Sequence, residues 1–217
     1  MPDFLLQRRH FSACALTLAA SGFLPLLSQA ASKGSILVLG DSISAEYGLP
    51  RGSGWVTLLE QRLASSALPW SVLNASISGD TTAGGRSRLA ALLTQHRPKV
   101  LIIELGANDA LRGLSMKATQ ENLLAMTRMA QAQGAKVLLL GMQMPPNYGP
   151  VLMKAFEQVF VDVARQTKAS RVPFLLRGIA DAQEPFALFQ SDRIHPNVQA
   201  QSIMLDNVWP ELKKLLK

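Results

Sequence analysis

The chain has 217 residues, 48% hydrophobic and 17% charged, with 22 Lys and Arg against 15 Asp and Glu for a formal charge of +7. This length fits one domain with room for a sizeable core, and the composition excludes a disordered chain, a collagen-like repeat and a disulfide scaffold. One Cys and three His (His10, His96 and His195) leave no basis for a Cys-based zinc cluster or a His-rich metal site.

The N-terminal segment reads as a targeting signal. Arg8 and Arg9 form a short basic region, an apolar run spans residues 11–27, and Ser28-Gln29-Ala30 places small residues at a cleavage site. Ser21-Gly22 and Pro25 interrupt the run, which argues against a spanning anchor. We expect a secretory signal peptide over residues 1–30, a single domain over 31–217, and a periplasmic or secreted bacterial protein. Arg8-Arg9 leaves the general and the twin-arginine export routes both open. Cys14 lies inside the apolar run, so the mature chain holds no cysteine, as suits an oxidising compartment. With Arg8, Arg9 and Asp3 removed, 20 basic residues face 14 acidic ones. That excess suits transient contact with an anionic membrane surface. No basic run with interleaved aromatics is present, which argues against nucleic acid. We expect a monomer.

Along the mature chain, short apolar runs alternate with longer amphipathic ones. Residues 36–39 read as a buried strand ending at Gly40, and 55–63 carry helical spacing. A second strand is expected over 70–74 and a helix over 86–96, with Pro98 as punctuation. Residues 100–103 form the clearest strand, followed by a helix over 118–133 closed by Gly134. A fourth strand over 137–140 ends at Gly141, a helix covers 152–167, and a fifth strand covers 172–176. The closing helix, 197–216, is opened by Pro196 and interrupted by Pro210. Continuous apolar strands are the habit of parallel sheets covered on both faces, so the expected fold is a three-layer α/β/α domain. In such folds ligands bind beyond the carboxyl ends of the strands.

Four polar clusters fall at those ends. Gly40-Asp41-Ser42-Ile43-Ser44 comes after the first strand, Asn74 to Asp80 after the second, Gly106-Ala107-Asn108-Asp109 after the third, and Asp192-Arg193-Ile194-His195-Pro196 after the fifth and a loop. A Ser hydroxyl needs a neighbouring base, His is the usual one, and a carboxylate can fix the tautomer of that His. Ser42, His195 and Asp192 supply these three groups. Acyl transfer also needs donors where the oxyanion develops. The N–H groups of a strand-to-helix turn at Ser42, the N–H of Gly79 and the Asn108 amide are the candidates. Asp41 and Asp109 are expected to bond their own turns.

These four blocks resemble the SGNH (GDSL) hydrolase superfamily, whose Ser, Gly, Asn and His match Ser42, Gly79, Asn108 and His195. More closely, the chain is similar to the periplasmic multifunctional acyl thioesterase, arylesterase and lysophospholipase subfamily over 74–82, 104–113 and 142–149. The resemblance implies a flavodoxin-like sheet of five parallel strands, with Ser42 as nucleophile and Asp192 and His195 completing the triad. It implies an oxyanion hole from Ser42, Gly79 and Asn108, and neither metal nor cofactor. The family's acyl-chain preference is linked to the loop after the fourth strand, which points to Met144, Pro145 and Tyr148 as substrate-binding; a packed surface loop is the alternative. Two departures stand out. Ala107 replaces a common Gly, with a modest effect expected on loop freedom, and Glu46 replaces a small residue near the mouth, where we expect it to be solvated. The implied substrates are aryl or short acyl esters, acyl thioesters or lysophospholipids. A carbohydrate O-deacetylase of the same superfamily, or a phosphate-binding module without catalysis, are the alternatives.

Overall fold

A computed structural model describes residues 34–66 and 68–217 of the chain. The signal peptide expected over residues 1–30 lies outside them. The described chain runs β1 (Gly34–Gly40), α1 (Trp55–Ser65), β2 (Trp70–Asn74), α2 (Thr82–His96), β3 (Val100–Glu104), α3 (Ala107–Leu111) and α4 (Met116–Ala132). It continues through β4 (Lys136–Leu140), α5 (Pro150–Thr167), β5 (Ser170–Val172) and α6 (Ala200–Leu215). All five strands are parallel and lie in the order β2-β1-β3-β4-β5. This is the expected flavodoxin-like arrangement. Helices α1 and α6 pack together on one face, and α2, α4 and α5 lie side by side on the other.

Burial explains the strand pattern. All of β3 and the last five residues of β1 are buried, because helices cover both faces of the sheet. β2 and β5, at the edges, are only partly covered. Trp55, Phe156 and Phe160 are the largest fully buried side chains, and the two Phe rings meet edge to face at 5.3 Å. The chain reverses its direction of travel across the sheet between β1 and β3, where Gly40 sits in register with Glu104. The crevice above that pair is where this topology places a ligand.

Three boundaries differ from expectation by more than two residues. α2 starts at Thr82 rather than at 86. Gly84-Gly85 hides the start, since glycine is a poor helix former. Close packing favours it, however: a Cβ on Gly85 would lie 2.3 Å from Leu105 Cδ1, and that buried side chain would have to shift. β5 ends at Val172 rather than running to 176, because Pro173 has no N–H for the ladder. α6 starts at Ala200 rather than at 197, with the Asn197 side chain accepting from the N–H groups of Gln199 and Ala200. Pro210 lies within α6 without ending it; Leu205, Val208 and Leu212 on either side of it are buried. One helix, α3, carries no apolar period and was not foreseen.

The loop between β1 and α1 is organised by Glu46. Its carboxylate accepts from the N–H of Gly52 at 2.9 Å, the N–H of Gly54 at 2.7 Å and the Thr57 hydroxyl at 3.0 Å. Glu46 is therefore not the solvated carboxylate we expected, but the cap that holds the start of α1. Burial opposes its charge, yet these three bonds and Arg51 hold its carboxyl below the usual range.

This packing can be tested at two positions. Gly141→Ala should cost about 1–3 kcal/mol, because its Cβ would lie 2.3 Å from the Pro173 carbonyl oxygen, a backbone atom that cannot swing aside; thermal unfolding of the variant measures it. Glu46→Ala should cost on the order of 1 kcal/mol at neutral pH through the lost caps. A carboxyl with a depressed folded-state pKa stabilises above its unfolded value and loses that contribution as pH falls. The difference from wild type in urea midpoint should therefore shrink below about pH 4; a constant difference would show that the charge plays no part.

Candidate active site

Ser42 stands just beyond β1, in a run of turns where the Ala45 N–H donates to the Asp41 carbonyl at 2.9 Å and the Tyr47 N–H to the Ser42 carbonyl at 3.3 Å. No helix begins there; α1 starts only at Trp55. The expectation of a helix N-terminus at Ser42 is thus corrected. The turn is pinned instead by Asp41, whose Oδ1 accepts from the Ile43 N–H at 3.0 Å, and by Asn74, whose amide donates to the Ser44 carbonyl at 2.7 Å.

His195 arrives on a loop that closes on itself. Phe189 and Pro196 form an isolated antiparallel bridge, the Gln190 N–H donates to the His195 carbonyl at 2.8 Å, and Arg193 takes the left-handed conformation that turns the tip. Gln190 ties this loop to the Ser42 turn by donating from its amide to the Tyr47 carbonyl at 2.8 Å. His195 Nε2 lies 2.9 Å from Ser42 Oγ, although the two residues are 153 positions apart. His195 Nδ1 lies 2.7 Å from Asp192 Oδ2. A carboxylate on Nδ1 selects the tautomer with Nδ1–H, which leaves Nε2 to accept from the Ser42 hydroxyl. Asp192 Oδ1 meanwhile accepts from the N–H groups of Ile194 and His195 at 2.9 and 3.0 Å. Burial works against the charged Asp192, but these N–H donors and the imidazole outweigh it and hold the carboxyl below its usual range.

Gly79 and Asn108 flank the same turn. The loop of Gly79 is stitched to β1, with the Ala75 N–H donating to the Val38 carbonyl and the Ile77 N–H to the Gly40 carbonyl. Gly79 takes φ +77, a conformation that favours glycine, and its carbonyl accepts from the Arg112 guanidinium at 2.7 Å. The Ser42 and Gly79 N–H groups have no acceptor among the described residues. Asn108, on α3, donates one amide hydrogen to Asp41 Oδ2 at 2.9 Å. Its second amide hydrogen stays available.

Several expectations change in the folded chain. Asp109 bonds other elements rather than its own turn: it accepts from the Thr82 N–H at 2.8 Å, from the Thr82 hydroxyl and from Thr119. Ala107 is already helical, and the left-handed position of that loop is Gly106, at φ +123, so Ala107 forfeits no freedom. Met144 is buried in the core and presents no open wall, whereas Pro145 and Tyr148 are exposed. None of the three touches Ser42, Asp192 or His195 through a hydrogen bond or ring contact. His96 ends α2, away from the cluster.

Sequence reading missed four residues. Tyr47 packs its ring 4.5 Å from the His195 ring. Gln190 and Arg112 brace the loops described above. Arg88 reaches from α2 to the carbonyls of Ala75 and Gly40 while paired with Asp80 at 2.7 Å. A fifth, Glu104, did carry a signal: it is an acid closing an otherwise apolar buried strand.

The arrangement has counterparts. Over 202 residues the chain is 51% identical to the esterase TesA of Pseudomonas aeruginosa, covering 93% of this chain and 99% of that protein. It is 36% identical to the thioesterase 1/protease 1/lysophospholipase L1 of Escherichia coli K12, covering 89% and 91%. The crystal structure of the psychrotrophic esterase EstA from Pseudoalteromonas sp., inhibited by monoethylphosphonate, superposes with a TM-score of 0.78 at 41% identity, covering 84% of this chain and 98% of that one. The model of the GDSL-like lipase/acylhydrolase family matches residues 38–203, a span that holds Ser42, Gly79, Asn108, Asp192 and His195 together. With its fold, its sequence and its polar clusters all in agreement, the chain belongs to the GDSL-like lipase/acylhydrolase family.

Proposed function

We propose that this protein is a serine hydrolase of carboxylic esters and thioesters that works through an acyl-enzyme on Ser42. The observation that carries the reading is the continuous chain of contacts from Ser42 Oγ through His195 to Asp192, at 2.9 and 2.7 Å. His195 Nε2 takes the Ser42 proton as Oγ attacks the carbonyl carbon. Asp192 holds the imidazole in place and stabilises the imidazolium that forms. The free N–H groups of Ser42 and Gly79 and the second amide hydrogen of Asn108 receive the oxyanion. Protonated His195 then gives its proton to the leaving alcohol or thiol. Water, deprotonated by His195, releases the acid and restores Ser42.

The rim favours an apolar acyl or aryl group over a sugar. Tyr47 and Ile194, both about half exposed, stand beside His195 in sequence or in space. The activities named for the relatives, esterase in one case and thioesterase and lysophospholipase in another, support the same class. The phosphonate inhibition of the Pseudoalteromonas esterase supports a nucleophilic serine. Export to the periplasm, read from residues 1–30, is part of this proposal.

Hydrolysis of p-nitrophenyl esters from acetyl to palmitoyl tests the reading. Ser42→Ala and His195→Ala should each lower kcat by several orders of magnitude, as triad members do. Asn108→Ala should cost on the order of 100-fold, as for one oxyanion donor. A fluorophosphonate probe should label wild type and not Ser42→Ala. Retention of most activity in His195→Ala would overturn the assignment of the base.

A further inference from the structure

Beneath the Ser42 turn lies a pair of buried acids that the proposed mechanism does not use. Glu104, the last residue of the central strand β3, is 0% exposed, and Asp41 is 1% exposed. Glu104 Oε2 accepts from the Ser44 hydroxyl at 2.8 Å and from the Asp41 N–H at 3.3 Å. Ser44 Oγ in turn accepts from Trp55 Nε1 at 3.2 Å. The two carboxyls lie close enough for the charge on Asp41 to act on Glu104. The other oxygen, Glu104 Oε1, is buried with no partner among the described residues. Gly40 makes room for this cluster: a Cβ there would lie 2.8 Å from Ser76 Oγ and 2.9 Å from Glu104 Oε2.

A carboxyl is an expensive way to fill the centre of a sheet. We propose that Glu104 is a positioning residue: through Asp41 it fixes the Asn108 amide, and through Ser44 the Ser42 turn, in the geometry that receives the oxyanion. This rests on the assignment of Ser42 and Asn108 made above. Asp41 reaches Asn108 through Oδ2 at 2.9 Å while its Oδ1 holds Ile43, so its orientation decides where the remaining Asn108 hydrogen points. Two adjacent carboxylates inside a dry site cannot both stay charged, so one proton is shared between them. Burial first, and then the Asp41 charge, push the Glu104 carboxyl well above the usual range. Asp41 is raised only to about 6, by burial opposed by the Ile43 and Asn108 donors.

Among the described residues, the surrounding elements offer Glu104 no compensating cation. On α2, Arg88 is paired with Asp80 and donates to the Gly40 carbonyl. On the closing loop, His195 is paired with Asp192 and acts on Asp41. On α3, Asp109 is occupied by Thr82 and Thr119. A protonated Glu104 can therefore donate to Asp41 and leave it a single charged acceptor for Asn108, without adding a second negative charge beside the imidazole.

The test compares Glu104→Leu and Glu104→Gln, each alone and with Asn108→Ala, beside Ser42→Ala. Glu104→Leu should lower kcat on the order of 10- to 100-fold with KM little changed, since it disturbs a contact made in the transition state. In the Asn108→Ala background the same change should cost less than about threefold, because the group it positions is gone. Glu104→Gln, which keeps a donor and is neutral, should recover kcat to within about threefold of wild type. It should also leave the acid limb of the kcat/KM pH profile in place. Equal losses from Glu104→Leu with and without Asn108 would reduce Glu104 to a packing role and overturn the proposal. A shift of the acid limb in Glu104→Gln of about one unit would show that Glu104 is charged in the working enzyme, and would overturn it too. If Glu104→Leu does not fold, the pH profile of Glu104→Gln decides alone. An active Ser42→Ala would instead sink the underlying assignment, whereas an inactive Ser42→Ala with wild-type activity in Glu104→Leu would sink only this proposal.

Discussion

The parallel pairing of β1 with β3 is the constraint on which everything else in this molecule depends. It sets Gly40 opposite Glu104 at the one place in the sheet where the chain changes its direction of travel. The segments leaving those two residues must enter the same crevice, and they are the Ser42 turn and the Asn108 helix. Their approach is close because Gly40 has no side chain; a Cβ there would collide with Ser44, Ser76 and Glu104. The pairing of β1 with β2 then brings in the Gly79 loop, held to the β1 carbonyls of Val38 and Gly40. Only the His195 loop is free of the sheet. It has its own bridge and reaches the Ser42 turn through Gln190 and the imidazole itself.

The acids of this region divide by their surroundings rather than by their type. Asp192 and Glu46 lie near the surface, each satisfied by backbone N–H groups, and both carboxyls are held below the usual range. Asp41 and Glu104 lie inside, in no ion pair among the described residues, and are pushed upward. The outer pair organises loops by being charged. The inner pair can organise the oxyanion side only by sharing a proton, since the interior gives no return for a second uncompensated charge. A single short region thus carries carboxyls pushed in opposite directions. In sites of this kind, such separation assigns different roles to like groups.

Much of this was legible from residue order. The apolar runs of β1, β3 and β4 were long enough to identify as strands buried on both faces, and the four polar clusters stood directly after strand positions. The roles of Asp109 and Glu46 were not legible. Each binds residues far away or across a loop, and neither partner is implied by local spacing: Thr82 is 27 positions from Asp109, and Gly54 is 8 from Glu46. The start of α2 was hidden for a related reason. Gly85 is unfavourable in a helix by propensity but favoured by its close approach to the buried Leu105 side chain.

Residue order alone settles the layer architecture and the identity of the four clusters, because hydrophobic period and turn chemistry are local properties. Which side chains share hydrogen bonds is settled only by packing. Ser42 meets His195 across 153 residues, and Asp41 meets Asn108 across 67. Burial, too, is a property of the folded whole: with the neighbouring Asp41 charge, it pushes the carboxyl of Glu104, an acid at the end of a strand, well above the usual range. Hydrogen-bond geometry and the cost of buried charge depend on positions to a fraction of an ångström, and those positions exist only once the layers have packed.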